Sequence, residues 1–191
     1  MTSLDEPMAY VDPQDISPRS TAMRYGMIWG LLGILIGLVS YLMGWSDPSG
    51  GSTAGSMISM LLSLGLSVTI LVLAIKHHRD NELGGYITFG RGFKTGMLTA
   101  FFYAIIATVW AVIFFNFIAT DMIEMMEAAM YEQWENQGLT EEQIETAAGI
   151  ALFFASKKFM IGAAFGGTLI MGAILSLIIS AVLKKEQPQT M

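Results

Sequence analysis

The spacing of charged residues is the feature that most restricts what this chain can fold into. Four long intervals contain no Asp, Glu, Lys or Arg, and they cover residues 25–46, 48–75, 95–120 and 159–183. A bilayer core about 30 Å thick is crossed by roughly 20 helical residues. Because lipid offers no hydrogen-bond partners to an open backbone, and four segments do not close a barrel, each interval is predicted to be a helix. We number these spans 1 to 4, with span 2 beginning near residue 56.

Composition supports the same fold class, because 53% of the residues are hydrophobic and only 14% are charged. We predict an all-α integral membrane protein with four transmembrane helices as two hairpins, plus an amphipathic helical segment between spans 3 and 4. The net charge of -6 argues against binding nucleic acid, which requires a basic surface. With no Cys and two His, the chain is expected to hold no metal or cofactor.

The distribution of basic residues predicts the topology. Eight of the ten Lys and Arg residues lie in the N-terminal tail, the loop between spans 2 and 3, and the C-terminal tail. Only Lys157 and Lys158 lie in the other loops. The positive-inside rule therefore places both termini in the cytoplasm. The acidic, proline-containing residues 1–22 are predicted to form a disordered tail before a membrane domain of residues 23–186, and residues 187–191 form a C-terminal tail.

The segment between spans 3 and 4 is predicted to form two amphipathic helices outside the membrane, over residues 121–136 and 141–156. In the first helix one face carries four residues suited to contact lipid, the protein's own spans or a partner: Met122, Met126, Met130 and Trp134. Acidic residues occupy the opposite, solvated face. The second helix begins with a capping box formed by Thr140 and Gln143.

Small residues recur at helical spacing in three of the spans. Span 1 carries Gly26, Gly30, Gly33 and Gly37, span 2 carries Ser59, Ser63 and Ser67, and span 4 carries Gly162 and Gly166. Such stripes let helices approach closely. We expect the stripes of spans 1 and 2 to pair within the first hairpin. The alternative is that these stripes form a contact face for another subunit.

The loop between spans 2 and 3 is rich in glycine and aromatic residues. We predict an interfacial loop that turns at the membrane surface, formed by Gly84, Gly85, Tyr86, Phe89, Arg91 and Lys94. A second interpretation is an anion site, in which Gly90, Arg91 and Gly92 precede a helix whose N-terminus attracts anions.

Three stretches of the sequence resemble a known family. They are Arg24-Tyr25-Gly26, then Gly84-Gly85-Tyr86-Ile87-Thr88-Phe89 followed by Phe93-Lys94, and the run from Gly138 to Glu145. On these residues, the chain over residues 22–186 resembles domain-of-unknown-function family 4199. Arg91 stands where that pattern leads us to expect an acid or an amide. The resemblance implies a bacterial four-span protein of the inner membrane and carries over no catalytic residues.

Three function classes follow from these patterns. The first is a non-enzymatic accessory, assembly or interaction subunit of a membrane complex, which associates with lipid and with other membrane proteins or itself. The alternative is a small oligomeric transporter or channel, whose path would be lined by Ser63, Ser67, Thr108, Asn116 and Ser176. The third is a membrane enzyme, for which His77 and His78 beside Asp80 and Glu82 are the candidate site. We expect those four side chains to be solvated, and therefore favour a non-enzymatic role.

Overall fold

The computed structural model describes residues 16–48 and 51–186, and within these ranges the chain is almost entirely helical. Six α-helices follow one another: α1 Arg19–Leu42, α2 Thr53–His77, α3 Phe89–Ile113, α4 Met122–Asn136, α5 Glu141–Ala155 and α6 Lys157–Leu183. A π-helical turn, His78–Glu82, extends α2, and a second, Phe114–Ile118, extends α3.

Four of these helices are long and apolar enough to cross a membrane, and they confirm the four predicted spans. With the π-helical turns included, they are Arg19–Leu42, Thr53–Glu82, Phe89–Ile118 and Lys157–Leu183. The first begins at Arg19, so the last residues of the predicted tail, up to residue 22, are helical. Residues 1–15 and 187–191 of the predicted tails lie outside the described residues.

Helix α3 occupies the centre of the bundle and packs most extensively against α6 and α1. Three small positions of α3 face three small positions of α6 in antiparallel register: Gly92 with Ser180, Gly96 with Ser176, and Ala100 with Gly172. A Cβ atom added to Gly96 would lie 2.4 Å from Ser176 Oγ, and one added to Gly172 would lie 2.4 Å from Ala100 Cβ. The two backbones therefore approach closely because side chains are missing there.

The glycine stripe of α1 packs against α3 and not against α2, so the predicted pairing within the first hairpin is wrong. A Cβ on Gly26 would lie 2.7 Å from Phe102 Cβ, and a Cβ on Gly30 would lie 2.6 Å from Ile106 Cγ2. Glycine spacing alone indicates that some helix fits against this face without indicating which one. Because α3 is central, it is the helix that lies next to this face. Its larger side chains fill the grooves that the glycines leave.

Helices α1 and α2 contact each other at the end of the bundle that carries their connecting turn. The hydroxyl groups of Ser40 and Ser59 are hydrogen-bonded at 2.7 Å. The Ser56 hydroxyl donates to the Trp45 carbonyl oxygen over 2.6 Å, while Gly55 leaves room for the Trp45 ring. These contacts hold the turn between the first two spans.

Helices α4 and α5 lie at that same end, and both predicted helices are present with nearly the predicted bounds. The capping box is confirmed, since the Thr140 hydroxyl accepts from the Gln143 N–H and the Gln143 side chain accepts from the Thr140 N–H. Gly138, between the two helices, has a φ of 75°, which glycine adopts without strain. We call the end of the bundle that carries α4 and α5 the α4–α5 end, and the opposite end the terminal end.

Replacing Gly96 by Ala should lower the free energy of unfolding by about 1–3 kcal/mol, because the new methyl group overlaps Ser176. Thermal unfolding of the purified protein in mild detergent measures the effect. Ser176→Gly in the same chain removes the overlapping atoms. The Gly96→Ala substitution should therefore cost much less stability in a Ser176→Gly background than in the wild type.

The matched control is Gly65→Ala on α2, where an added Cβ meets no atom of the described residues within 4 Å. This substitution should be neutral or stabilising, because Ala favours a helix over Gly by about 0.5–1 kcal/mol. Equal destabilisation by both substitutions would contradict the close approach of α3 and α6.

Candidate functional site

The structure separates the predicted small-residue stripes into filled and open ones. Gly26 and Gly30 are filled by α3, as described above. Further along α1 the contact loosens: the nearest atom to an added Cβ is 3.4 Å away at Gly33, on Tyr103, and 3.9 Å away at Gly37, on Trp110. Helices α1 and α3 therefore diverge toward the α4–α5 end.

Gly162 and Gly166 on α6 are open, since an added Cβ at either position meets no atom of the described chain within 4 Å. At 100° per residue they share a face with Phe159 and Ile170. Ile170 is 66% exposed.

Aromatic rings extend this open face onto α5. The Phe159 ring centroid lies 4.7 Å from that of Phe154 and 5.5 Å from that of Phe153. Phe153 and Phe154 are both more than half exposed. We define the α5–α6 surface as Phe153, Phe154, Phe159, Gly162, Gly166 and Ile170. Its glycines leave a shallow groove between larger apolar side chains.

The polar side chains proposed for a transport path do not gather in one place. Ser176 is fully buried against α3, while Ser63 and Asn116 are exposed on α2 and on the π-helical turn after α3. The Ser67 hydroxyl donates to the Ser63 carbonyl oxygen, and the Asn116 amide donates to the Val112 carbonyl oxygen. Both side chains therefore hydrogen-bond to the backbone of their own helix. A single chain thus brings no continuous polar path together from this set.

A polar cluster around a buried histidine at the terminal end was not expected from the sequence. His78 is 0% exposed, so the expectation that it is solvated is wrong. Its Nδ1 atom is paired with the Glu82 carboxylate, which also accepts from the Thr21 hydroxyl of α1. The Arg91 Nε–H of α3 donates to His78 Nε2 over 3.4 Å, and another Arg91 N–H donates to the Ile16 carbonyl oxygen. We call Thr21, His78, Glu82 and Arg91 the polar cluster.

These hydrogen bonds define a protonation state for His78. Because Nε2 accepts from Arg91, the ring proton of a neutral imidazole lies on Nδ1, from which it is donated to Glu82. The cluster therefore alternates carboxylate, neutral imidazole and guanidinium across α2 and α3. It joins the N-terminal segment, α1, α2 and α3 at one point.

The sequence carries a signal for the burial of His78. Leu71, Ala74 and Ile75 are all fully buried, and His78 continues their i, i+3, i+4, i+7 spacing. Charge density in the residues around it favours a solvated loop instead. The π-helical turn His78–Glu82 explains the difference, because it continues α2 beyond the apolar interval and keeps His78 on the buried face.

The predicted interfacial loop is shorter than expected. Gly84 and Gly85 do form a turn, with φ of 68° and 92°. Phe89, Arg91 and Lys94, however, lie in the first turns of α3, whose N-cap Thr88 accepts from the Arg91 N–H. Gly90, Arg91 and Gly92 thus lie in the first turn of α3 and do not precede it. The Arg91 N–H is bound by the Thr88 hydroxyl, and the Arg91 guanidinium donates to His78 and to the Ile16 carbonyl oxygen.

The turn is fastened to the end of α6. Ile87 and Lys185 exchange two backbone hydrogen bonds, of 2.8 and 2.9 Å, as an isolated antiparallel bridge. The Lys185 ammonium lies 5.2 Å from the centre of the Tyr86 ring. Arg79 donates to the Leu183 carbonyl oxygen over 3.2 Å and pairs with Asp80. The start of α3 and the end of α6 are therefore joined to each other and to the end of α2.

The methionine residues of α4 face the protein's own spans at least in part. Met122 is 8% exposed, and Met126, Met130 and Trp134 are half-buried. Met122 and Met126 line an apolar cavity together with Phe114 and Phe115 from the end of α3. Within the described residues, no group of three or more His, Cys, Asp or Glu side chains is arranged to hold a metal ion.

The fold and these contacts define the class of protein: a multi-pass membrane protein built on a central helix, with two further helices at one end. A family model described as protein of unknown function (DUF4199) matches residues 24–185. The chain belongs to this DUF4199 family. No curated protein and no solved structure matches it.

Replacing Glu82 by Ala should lower the free energy of unfolding by about 1–3 kcal/mol, because the buried Nδ1–H of His78 and the Thr21 hydroxyl lose their acceptor. Glu82→Gln keeps one side-chain oxygen and should have a smaller effect. Thermal unfolding in detergent compares the two variants with the wild type.

Glu135→Ala is the matched control, since Glu135 is an exposed carboxylate on α4. It should leave the unfolding temperature within experimental error. A Glu82→Ala protein as stable as the Glu135→Ala protein would show that the polar cluster does not hold the helices together.

Proposed function

We propose that this protein is a non-enzymatic accessory, assembly or interaction subunit of a complex in the bacterial inner membrane. The observation that carries the proposal is the contrast between filled and open glycines. Close-approach glycines at the terminal end are occupied by the chain's own helices, whereas Gly162 and Gly166 face open space on a span. A small-residue groove on the lipid-facing side of a span is suited to a transmembrane helix of another protein.

The proposed contact area is the α5–α6 surface. Its Phe153, Phe154 and Phe159 rings provide large apolar anchors, and the glycines below them let a partner backbone approach. The span-1 glycines, which the sequence suggested as a second contact face, are used internally and are not part of the proposal. A partner helix would therefore lie alongside α6, in the half of the membrane next to α4 and α5.

The orientation is part of the same proposal. Basic residues concentrate at the terminal end, which supports termini in the cytoplasm and α4 and α5 on the outer side. There, α4 and α5 act as amphipathic helices that carry exposed acidic residues, including Glu124, Glu132 and Glu141. A partner that also has an extracytoplasmic domain meets an acidic surface on this side.

Site-specific photo-cross-linking in native membranes tests the proposed surface. A photoreactive amino acid at Ile170 or Phe154 should capture a discrete protein partner. Leu31 on α1 is the matched control, since Leu31 and Ile170 are both 66% exposed apolar side chains within spans. Leu31 should give no partner band above background.

Leucine at Gly162 or Gly166 should then reduce cross-linking from Phe154 by about fivefold or more, because overpacking costs about 1–3 kcal/mol. Gly65→Leu on α2 serves as the control substitution. Equal cross-linking at Ile170 and Leu31, with no discrete product, would contradict the proposal. Products that contain only copies of this chain, as a defined oligomer, would favour the transporter or channel alternative and lead to flux assays in liposomes.

A further inference from the structure

A cavity of about 460 Å³ lies at the α4–α5 end of the bundle. Its walls come from α1, the turn after α1, α3, α4 and α6, and they include Gly37, Ser46, Trp110, Phe114, Met126 and Met160. Ligand-binding pockets commonly measure about 300–1,000 Å³ and are mostly apolar with a few polar groups. The Ser46 hydroxyl and the Trp110 indole N–H are the hydrogen-bond donors among these side chains.

The cavity exists because the bundle opens toward this end. Along α1, the distance from an added Cβ to α3 rises from 2.7 Å at Gly26 to 3.9 Å at Gly37. Helix α6 stays in contact with α3 in this half, since the ring centroids of Phe165 and Phe101 lie 6.3 Å apart, so the opening lies between α1 and α3. The divergence is thus built into the contact between α1 and α3, and it is not the result of one displaced side chain.

Apolar walls at this depth select the contents of the cavity. The walls combine the ends of three membrane spans with α4, so the cavity lies where acyl chains meet the headgroup region. Phe114 and Met126 are only half-buried, so the cavity reaches the surface of the chain. Empty apolar space forfeits dispersion contacts, and water finds few partners there. An acyl chain from the surrounding membrane makes dispersion contacts with such walls and needs no hydrogen-bond partner.

A second cavity, of about 290 Å³, adjoins the first and supplies a different chemistry. The two share Pro48 and Met122 in their walls, and the second is also lined by Asp47 and Asp121. Two carboxylates at the mouth of an apolar cavity attract a cationic group and repel a headgroup that carries only negative charge. Lipid headgroups at this level include ammonium groups.

We propose that the paired cavities bind a phospholipid whose headgroup carries an ammonium group. One acyl chain lies in the larger cavity, which Trp110 lines, and the ammonium group lies at Asp47 and Asp121. Phosphatidylethanolamine has this chemistry, and phosphatidylglycerol lacks the ammonium group. The site is distinct from the α5–α6 surface, so lipid binding and partner binding can be tested separately.

The test uses the full-length protein in nanodiscs that contain equal amounts of phosphatidylethanolamine and phosphatidylglycerol. Native mass spectrometry after release into mild detergent measures which lipid stays bound. We expect phosphatidylethanolamine to be retained over phosphatidylglycerol by about two- to fivefold, the range of a partly exposed charge interaction. Phosphatidylethanolamine with a photoreactive acyl chain should cross-link to peptides that contain Met126 or Met160.

Gly37→Leu fills the cavity, since a Cβ there has its nearest neighbour at 3.9 Å. It should reduce lipid retention and cross-linking about tenfold or more, because the acyl chain can no longer bury its methylene groups in the cavity. Met160→Trp fills the same space from α6 and provides a second variant if the first is unstable. Gly65→Leu, remote from the cavity, should bind lipid like the wild type.

The double variant Asp47→Asn, Asp121→Asn should remove the preference for phosphatidylethanolamine, whereas Glu132→Gln on α4 should keep it. Soluble glycerophosphoethanolamine, which has the headgroup without acyl chains, should not compete. Unchanged lipid retention in both cavity-filling variants would overturn the proposal. Equal retention of the two lipids by the wild type, or competition by the headgroup alone, would overturn it as well.

Discussion

Close backbone contact between α3 and its two main neighbours is the constraint on which the rest of the structure depends. Inside a bilayer, apolar side chains gain little by leaving lipid for one another, so helices associate through fitted packing. Here the fit comes from missing side chains: Gly26 and Gly30 receive α3, and Gly92 and Gly96 of α3 receive Ser180 and Ser176. Three helices are thereby fixed relative to each other at the terminal end.

The polar cluster lies at this same tightly packed end. A buried histidine without partners would cost several kcal/mol, so His78 is retained only with its hydrogen bonds made. Glu82 and Arg91 provide them, and Thr21 and Ile16 extend the network to α1 and the N-terminal segment. Helix packing and polar pairing thus act on the same end of the molecule. The packing joins α1 and α6 to α3, and the polar cluster joins α1 and α2 to it.

The opposite end has the complementary properties. The contact of α1 with α3 loosens toward it, α4 covers part of the space between the span ends, and an apolar cavity with an acidic neighbour remains. The open glycines of α6 belong to the same half of the molecule. Both proposals, a protein partner on the α5–α6 surface and a lipid in the cavities, therefore concern the same half of the molecule.

The sequence by itself determined the number of spans, their approximate limits, the two helices between spans 3 and 4 and the capping box at Thr140. These features depend on local properties: the interval between charges, the 3.6-residue period, and side chains three residues apart. The turn at Gly84 and Gly85 belongs to the same category, because a positive φ is a property of single residues.

Only the tertiary structure decided which helix fills each glycine groove and where His78 lies. A small-residue stripe has the same spacing whether it meets a neighbouring span, a distant one or lipid, so Gly26 and Gly162 look alike in sequence. Their environments differ because Gly26 faces the central helix α3, whereas Gly162 lies on a face of α6 that does not meet it. The burial of His78 likewise requires a partner carboxylate, a π-helical turn and a guanidinium from another helix at one point in space.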